Sequence, residues 1–222
     1  MPTMTSADAL FADLGAVDWN DLAAMTSVSD TLLNALDTDR TLLRELTERA
    51  IEDPDLLRLC EHYDILDKVI LHDDPTGWRL RLHVFLPGYF DRPHNHRWTY
   101  RSRILHGSYT HTLYGTDDQL GDGDTEVTAL QPRLVRTEST GDSYTLHHSM
   151  IHAVTAEPHT TSLVVRGPAV KDRFLVTDRV TGQAWWQYGA ATDSPDETAR
   201  KRMSASRASA CLRQLTELGV LT

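Results

Sequence analysis

The sequence predicts a mainly β barrel or sandwich with helical segments at both ends, and three observations predict it. Leucines recur at helical spacing through the first 62 or so residues. From residue 65 onward, short runs alternate polar and apolar side chains and are broken by turns rich in Gly, Pro and Asp. After residue 191 a helix-start signature returns the chain to helix. The expected organisation is an N-terminal helical region at 1–64 packed on a β-barrel at 65–190, then a C-terminal helix at 191–222.

The 222 residues are 40% apolar and 24% charged, ordinary for a globular chain long enough to bury a core without staples. Cys60 and Cys211 are far apart and form no CxxC pair, so they read as small buried hydrophobes in a reducing compartment. With 32 acidic and 22 basic residues the formal charge is -10, which argues against nucleic acid as a partner. The run Met1–Asp8 has neither a basic stretch nor a long apolar one, so no secretion signal or membrane span is expected and a cytoplasmic location is the default.

In the N-terminal region, Asp18 to Leu22 reads as a helix start. Leu32, Leu33 and Leu36, then Leu42, Leu43 and Leu46, mark core-facing stripes. Asp53-Pro54-Asp55 starts a further helix with proline at its tolerated first position. Arg79 to Leu86 alternates as a half-buried strand, and 103–114 reads as two strands around Gly107. A turn or loop at 115–125 follows, then strand-like runs at 126–137, 143–147, 151–155, 161–166 and 173–178. Val180 to Gln183 reads as a hairpin turn before Ala184-Trp185-Trp186. Ser194-Pro195-Asp196-Glu197 combines an N-cap serine with a glutamate three residues on, a capping box. Leu212, Leu215 and Leu218 could face the barrel, while Arg200, Lys201, Arg202 and Arg207 read as a solvated basic face.

Among 11 histidines, spacing selects a few. His94 and His96 sit at i and i+2, so on a strand both imidazoles face one point. A divalent transition metal accepts neutral imidazole, but two ligands seldom hold one, so a third must come from a distant strand. His152 is the best candidate: Gly141 to Val154 runs from a turn glycine through a strand and a polar loop to a histidine opening the next strand. His147 and His148, in that loop, are candidates for groups just outside the ligand set. His83 falls on the polar phase of its strand; His106, His111 and His159 read as packing or surface residues.

The run from Gly88 through His94-Asn95-His96 to Gly107, followed by Gly141–Val154, resembles the paired sequence motifs of the cupin superfamily. The two motifs cover about 70 residues, and the resemblance implies a double-stranded β-helix (jelly-roll) barrel. The glutamate that usually follows the second histidine is missing from Arg97-Trp98-Thr99-Tyr100-Arg101. The implied ligand set is therefore His94, His96 and His152, as in the three-histidine thiol dioxygenases typified by cysteine dioxygenase. In that family an upstream arginine grips the substrate carboxylate, and Lys68 occupies the comparable place here. The family's outer Ser-x-His-x-Tyr run is matched only by the serine of Ser162-Leu163-Val164-Val165-Arg166, which predicts a substrate other than cysteine.

The resemblance implies an iron(II) oxygenase using O2 on a small anionic, amino-acid-like or thiol metabolite. Zinc or nickel with Lewis-acid chemistry is the alternative, and a non-catalytic metal-dependent ligand-binding cupin the third. Lys68, Arg79, Arg81 and Arg166 are the candidate substrate-binding cations. Tyr100 and His83 are the candidate groups acting at the centre, with Trp98 and Tyr109 as further wall residues. A small molecule is the expected partner, with neither nucleic acid nor membrane, on a monomer or homodimer.

Overall fold

The computed structural model describes residues 6–63, 65–119, 130–178, 181–189 and 192–222. Its N-terminal helices are α1 (Ser6–Ala16), α2 (Leu22–Thr38), α3 (Arg40–Glu52) and the single turn α4 (Pro54–Leu57). Each of the last three opens on an aspartate that accepts from the first free N–H groups: Asp21, Asp39 and Asp53. The helical pattern does not reach residue 62. Glu61–Tyr63 is a strand, β1, paired antiparallel with β2 (Leu66–Asp73) in the register Glu61↔Lys68. Three residues are too few to carry a period of their own, so the sequence hides this strand.

The remaining strands are β3 (Arg79–Phe85), β4 (Tyr100–His106), β5 (Ser108–Thr116), β6 (Leu134–Ser139), β7 (Ser143–Leu146), β8 (Met150–Ala156), β9 (Thr161–Arg166), β10 (Arg173–Thr177) and β11 (Ala184–Tyr188). The strand expected at 126–137 begins only at Leu134; 126–129 lie outside the described residues, and Pro132 has no N–H for a ladder. Of the hairpin turn, Val180 is outside the described residues, and Gly182 closes it at φ 71 with its N–H on Asp178 O at 2.9 Å. Residues 1–5 and 120–125 are likewise outside.

One sheet has the order β1-β2-β3-β9-β4-β7, another β6-β5-β8, and β10-β11 is a hairpin. His94 bridges both His152 of β8 and Val176 of β10, which joins the two smaller units into a second wall. Tyr109 and Val154 of that wall pack against Ile104, Tyr144 and Val164 of the first. The architecture is mainly β and antiparallel, two walls of sheet with flanking helices.

The six-stranded sheet has two unlike faces. Leu80, Leu82, Leu163 and Val165 lie under Leu32, Leu36 and Leu43 of the N-terminal helices and Leu215 of the C-terminal helix α6 (Ala205–Glu217). Burying each such side chain contributes about 1.5–3 kcal/mol. Cys60 and Cys211 belong to this layer, and burial pushes their thiols up to about 11 and about 12. Because the apolar face is turned to the helices, the polar face looks between the walls: Lys68, His83 and Ser162 are successive cross-strand partners on it.

The C-terminal segment opens with α5 (Pro195–Lys201), capped as expected: Glu197 N–H donates to Ser194 Oγ at 3.3 Å and Ser194 N–H to Glu197 Oε2 at 2.9 Å. Its basic residues are not only a solvated face. Arg207 forks onto the fully buried Asp67 of β2, with Nε to Oδ2 at 2.9 Å, and His62 Nδ1 lies 2.6 Å from Asp67 Oδ1. Among the described residues no helix is long and apolar enough to cross a membrane.

Two outcomes follow for stability. Asp67→Ala strands Arg207 and should lose about 1.5–3 kcal/mol, read as a shifted urea midpoint at unchanged slope. Gly107 has φ +76, and a Cβ there would lie 2.6 Å from Thr160 Oγ1. Gly107→Ala should therefore lose more than about 1 kcal/mol in the same assay. An unmoved midpoint in either variant would refute its account.

Candidate metal centre

His94 and His152 are directly opposed in the backbone ladder. His94 N–H donates to His152 O at 2.8 Å, and His152 N–H to His94 O at 2.8 Å. Residues opposed this way carry their side chains on the same face. Asn95, fully buried, anchors the next position: its N–H donates to Leu175 O at 3.1 Å, its Oδ1 accepts from Leu175 N–H at 2.7 Å and its Nδ2 donates to Asp117 at 2.6 Å. His96 then returns to the face of His94.

The three histidines each offer a ring nitrogen, and these atoms all lie within 4.8 Å of one another. His96 Nε2 and His152 Nε2 are 2.9 Å apart. Two nitrogens about 2.1 Å from a common ion, at right angles to one another, are separated by about 3.0 Å. The outer nitrogens decide the tautomers. His94 Nδ1 lies 2.8 Å from Arg92 O, an acceptor only, so Nδ1 carries the hydrogen and Nε2 the lone pair. His152 Nδ1 is 3.0 Å from His111 Nε2, and His111 Nδ1 is 3.2 Å from Glu138 Oε1, which Arg136 Nε meets at 2.5 Å. With His111 donating to the carboxylate, its Nε2 accepts from His152, which leaves the His152 Nε2 lone pair pointing at His96. Burial first, then the neighbouring histidines and, for His96, also Lys68 and Arg81, holds His96 and His152 well below the usual histidine range. They are neutral, the form that binds metal, and the donor set suits Fe(II), Zn(II) or Ni(II). Among the described residues the cluster contains no carboxylate.

His111 was legible only as a packing residue, and that reading needs correcting. It is fully buried, burial and then Arg136 bring its pKa down to about 4, and it orients His152. The signal is the register: Leu113, two residues on, pairs with His152, so His111 shares its face diagonally. Glu138 and Arg136 enter through the β5–β6 pairing in the same way.

The centre opens on a cavity of about 1380 Å³, lined by Tyr100, His83, Lys68, Arg79, Arg81 and Arg166 among others. Tyr100 presents its edge to His96 at 5.0 Å and 87°. Its hydroxyl is 3.4 Å from that of Tyr144, which accepts from Tyr109 at 2.6 Å. Burial raises the Tyr100 pKa well above the usual phenol value, so it keeps its proton. Burial, then Lys68 and Arg81, pushes His83 far down, so it is neutral. Lys68 Nζ lies 3.4 Å from Glu61 Oε2; burial opposes both charges, and each holds the other ionised. Sequence reasoning missed Glu61 because it falls in the segment read as helix. His147 and His148 stack at 4.0 Å on the 147–149 turn, with His147 Nδ1 2.8 Å from Ser149 Oγ, and neither lines the cavity.

No protein-family model matches the chain, and no curated protein does. Among solved structures it is similar to KdgF from a Halomonas species, at 19% identity over 48% of this chain and 82% of that one, TM-score 0.37. It is also similar to an RmlC-like cupin from Shewanella frigidimarina, at 16% identity over 51% and 86%, TM-score 0.39. A third is the DMSP lyase DddQ from Ruegeria pomeroyi, at 14% identity over 51% and 52%, TM-score 0.39. These overlaps cover about half of the chain and assign it neither a substrate nor a reaction.

If His111 and Glu138 fix the His152 tautomer, His111→Ala and Glu138→Gln should each weaken metal affinity by about 10–100-fold. Competition with a chelator measures this, and a melting curve checks that the fold persists. Unchanged affinity would reduce the relay to packing.

Proposed function

We propose that His94, His96 and His152 hold iron(II) and that the chain is an oxygenase acting with O2 on a small anionic, amino-acid-like or thiol metabolite. One observation carries the reading: the Nε2 atoms of His96 and His152 lie 2.9 Å apart beside His94, the spacing that two imidazole nitrogens take on one ion. Iron bound there supplies the one-electron chemistry that dioxygen requires.

The chain's own residues do the rest. Three neutral imidazoles leave the ion's charge uncompensated, which favours an anionic group of the substrate beside it. The cations of the cavity wall, Lys68, Arg79, Arg81 and Arg166, draw such a group in and set its orientation. Tyr100, protonated and against His96, is placed to donate a hydrogen bond to a molecule bound next to that ring. His83, neutral with a buried Nε2 that has no partner, offers a second hydrogen bond from the β3 side.

The same three imidazoles also suit zinc or nickel, so the metal itself is the test. Anaerobically purified protein should hold close to one equivalent of iron and consume O2 with a member of a panel of small thiols and amino acids. His152→Ala should weaken metal binding by about tenfold or more while the melting curve stays in place. Zinc or nickel without O2 uptake would replace the oxygenase by Lewis-acid chemistry. Ligand binding without any turnover would leave a metal-dependent binding protein. Full metal occupancy in His152→Ala would end the three-histidine assignment.

A further inference from the structure

The four cations on the cavity wall are of two kinds. Lys68 and Arg79 are already matched, Lys68 by Glu61 at 3.4 Å and Arg79 by a two-pronged contact with Asp73. Arg81 and Arg166 form no ion pair among the described residues. Arg166 Nη1 donates only to neutral carbonyls, Gly77 O at 2.8 Å and Gly167 O at 3.0 Å. The carboxylates whose fields reach them are already shared: Glu61, acting on Arg81, with Lys68, and Asp73, acting on both, with Arg79. Arg166 is 7% exposed. The Nε atoms of Arg81 and Arg166 are both buried without a partner, and so is His83 Nε2, two residues along β3 from Arg81.

Both guanidiniums lie against one ring. Arg81 Cζ is 5.2 Å and Arg166 Cζ 4.7 Å from the Trp98 centroid, and the Trp98 ring is 6.1 Å from that of His96. Stacking on indole fixes the guanidinium planes and leaves their edges to hydrogen-bond. A buried guanidinium without a counter-charge is unfavourable, and two sharing a ring are more so: burial first, then repulsion from Arg81, works against the charge on Arg166. Arginine does not escape by losing its proton. The compensating anion must come from outside the chain, and the planar fork fits a carboxylate in two-point contact.

We propose that Arg81 and Arg166, held on Trp98, are the carboxylate clamp of this cavity, and that its ligand is a small dicarboxylate with one carboxylate on the guanidiniums and the other directed to the histidine centre. Lys68, in the place where the resembling dioxygenases carry their carboxylate-binding arginine, is instead the partner of Glu61. Two uncompensated guanidiniums beside a divalent ion on neutral ligands call for more than one negative charge, which selects a dianion over a simple monoacid. The clamp stands on its own; the second carboxylate, both its presence and its placing, rests on the metal reading above.

Calorimetry on the metal-free protein tests the clamp, using malonate, succinate and glutarate against malonamide, succinamide and glutaramide. At least one dicarboxylate should bind tenfold or more tightly than its diamide. Arg81→Met and Arg166→Met should each weaken that binding at least tenfold, and Arg44→Gln, a surface change on α3, should not. Arg166→Lys keeps the charge and loses the fork, so it should weaken binding several-fold even if Arg166→Met fails to fold. Equal binding of acid and diamide, or wild-type affinity in the arginine variants, would overturn the clamp. Zinc added to the wild type should tighten dicarboxylate binding, and should not in His152→Ala. Clamp binding without that gain would overturn the metal-directed carboxylate and leave the clamp in place.

Discussion

Burial of one face of the six-stranded sheet under α2, α3 and α6 decides what the interior can be. Leu80, Leu82, Leu163 and Val165 must face the helices, so alternation sends Arg79, Arg81 and His83 the other way. In an isolated antiparallel sheet that polar face would meet water. Here the second wall, β6-β5-β8 with the β10-β11 hairpin, stands opposite, and the polar face becomes the lining of a cavity. A one-residue slip of β3 would put leucines into the cavity and three charged or polar side chains against the helices, so the register is strongly fixed. Charges confined this way need partners, which is why Glu61 faces Lys68 and Asp73 meets Arg79.

The histidine centre sits on the most constrained part of the opposite wall. His94 bridges both β8 and β10, and its exchange of two backbone hydrogen bonds with His152 fixes the spacing of those two rings before any metal is considered. Asn95 fills the alternate face with three hydrogen bonds, so His96 cannot drift. Behind His152 the relay through His111 to Glu138 and Arg136 fixes which nitrogen carries hydrogen. His94 and His96 lie on the connection between β3 and β4, outside the named strands, so their positioning comes from the bridges of that segment to β8 and β10, while β8 and the hydrogen-bond chain behind it hold His152.

What was legible in the sequence was local. The i, i+2 spacing of His94 and His96, the break at Gly107, the strand at 161–166 and the capping box at Ser194 all depend on a few adjacent residues, and the structure has each. What was not legible depends on register or on distance along the chain. His111 reaches His152 only because β5 and β8 pair in the register Leu113↔His152, which puts His111 on the same face one diagonal away. Arg207 reaches Asp67 across 140 residues, and nothing near either predicts it. The alternation in β3 was plain, but a period of two says only that there are two faces. Which one turns inward is set by the helices, and here it is the polar one.

The distribution of charge within the cavity also narrows what can occupy it. An amino acid would bring an ammonium group that needs an acceptor. Of the carboxylates on the wall, Glu61 and Asp73 are matched to Lys68 and Arg79, Asp193 to Lys201, Asp74 accepts from Thr76, and Glu197 accepts from Ser194 at the start of α5. Asp91 lies 3.3 Å from His94 Nδ1 and accepts from Tyr89, and burial raises its pKa despite those contacts. The tyrosines keep their protons, and Tyr109 and Tyr144 already satisfy one another. The wall thus offers unmatched donors at Arg81, Arg166 and His83 and no comparably unmatched anion among the described residues. In a low-dielectric enclosure that asymmetry penalises a cationic group and rewards a second negative one. Within the small anionic metabolites proposed above, this narrows the choice from zwitterionic amino acids to acids without an ammonium group.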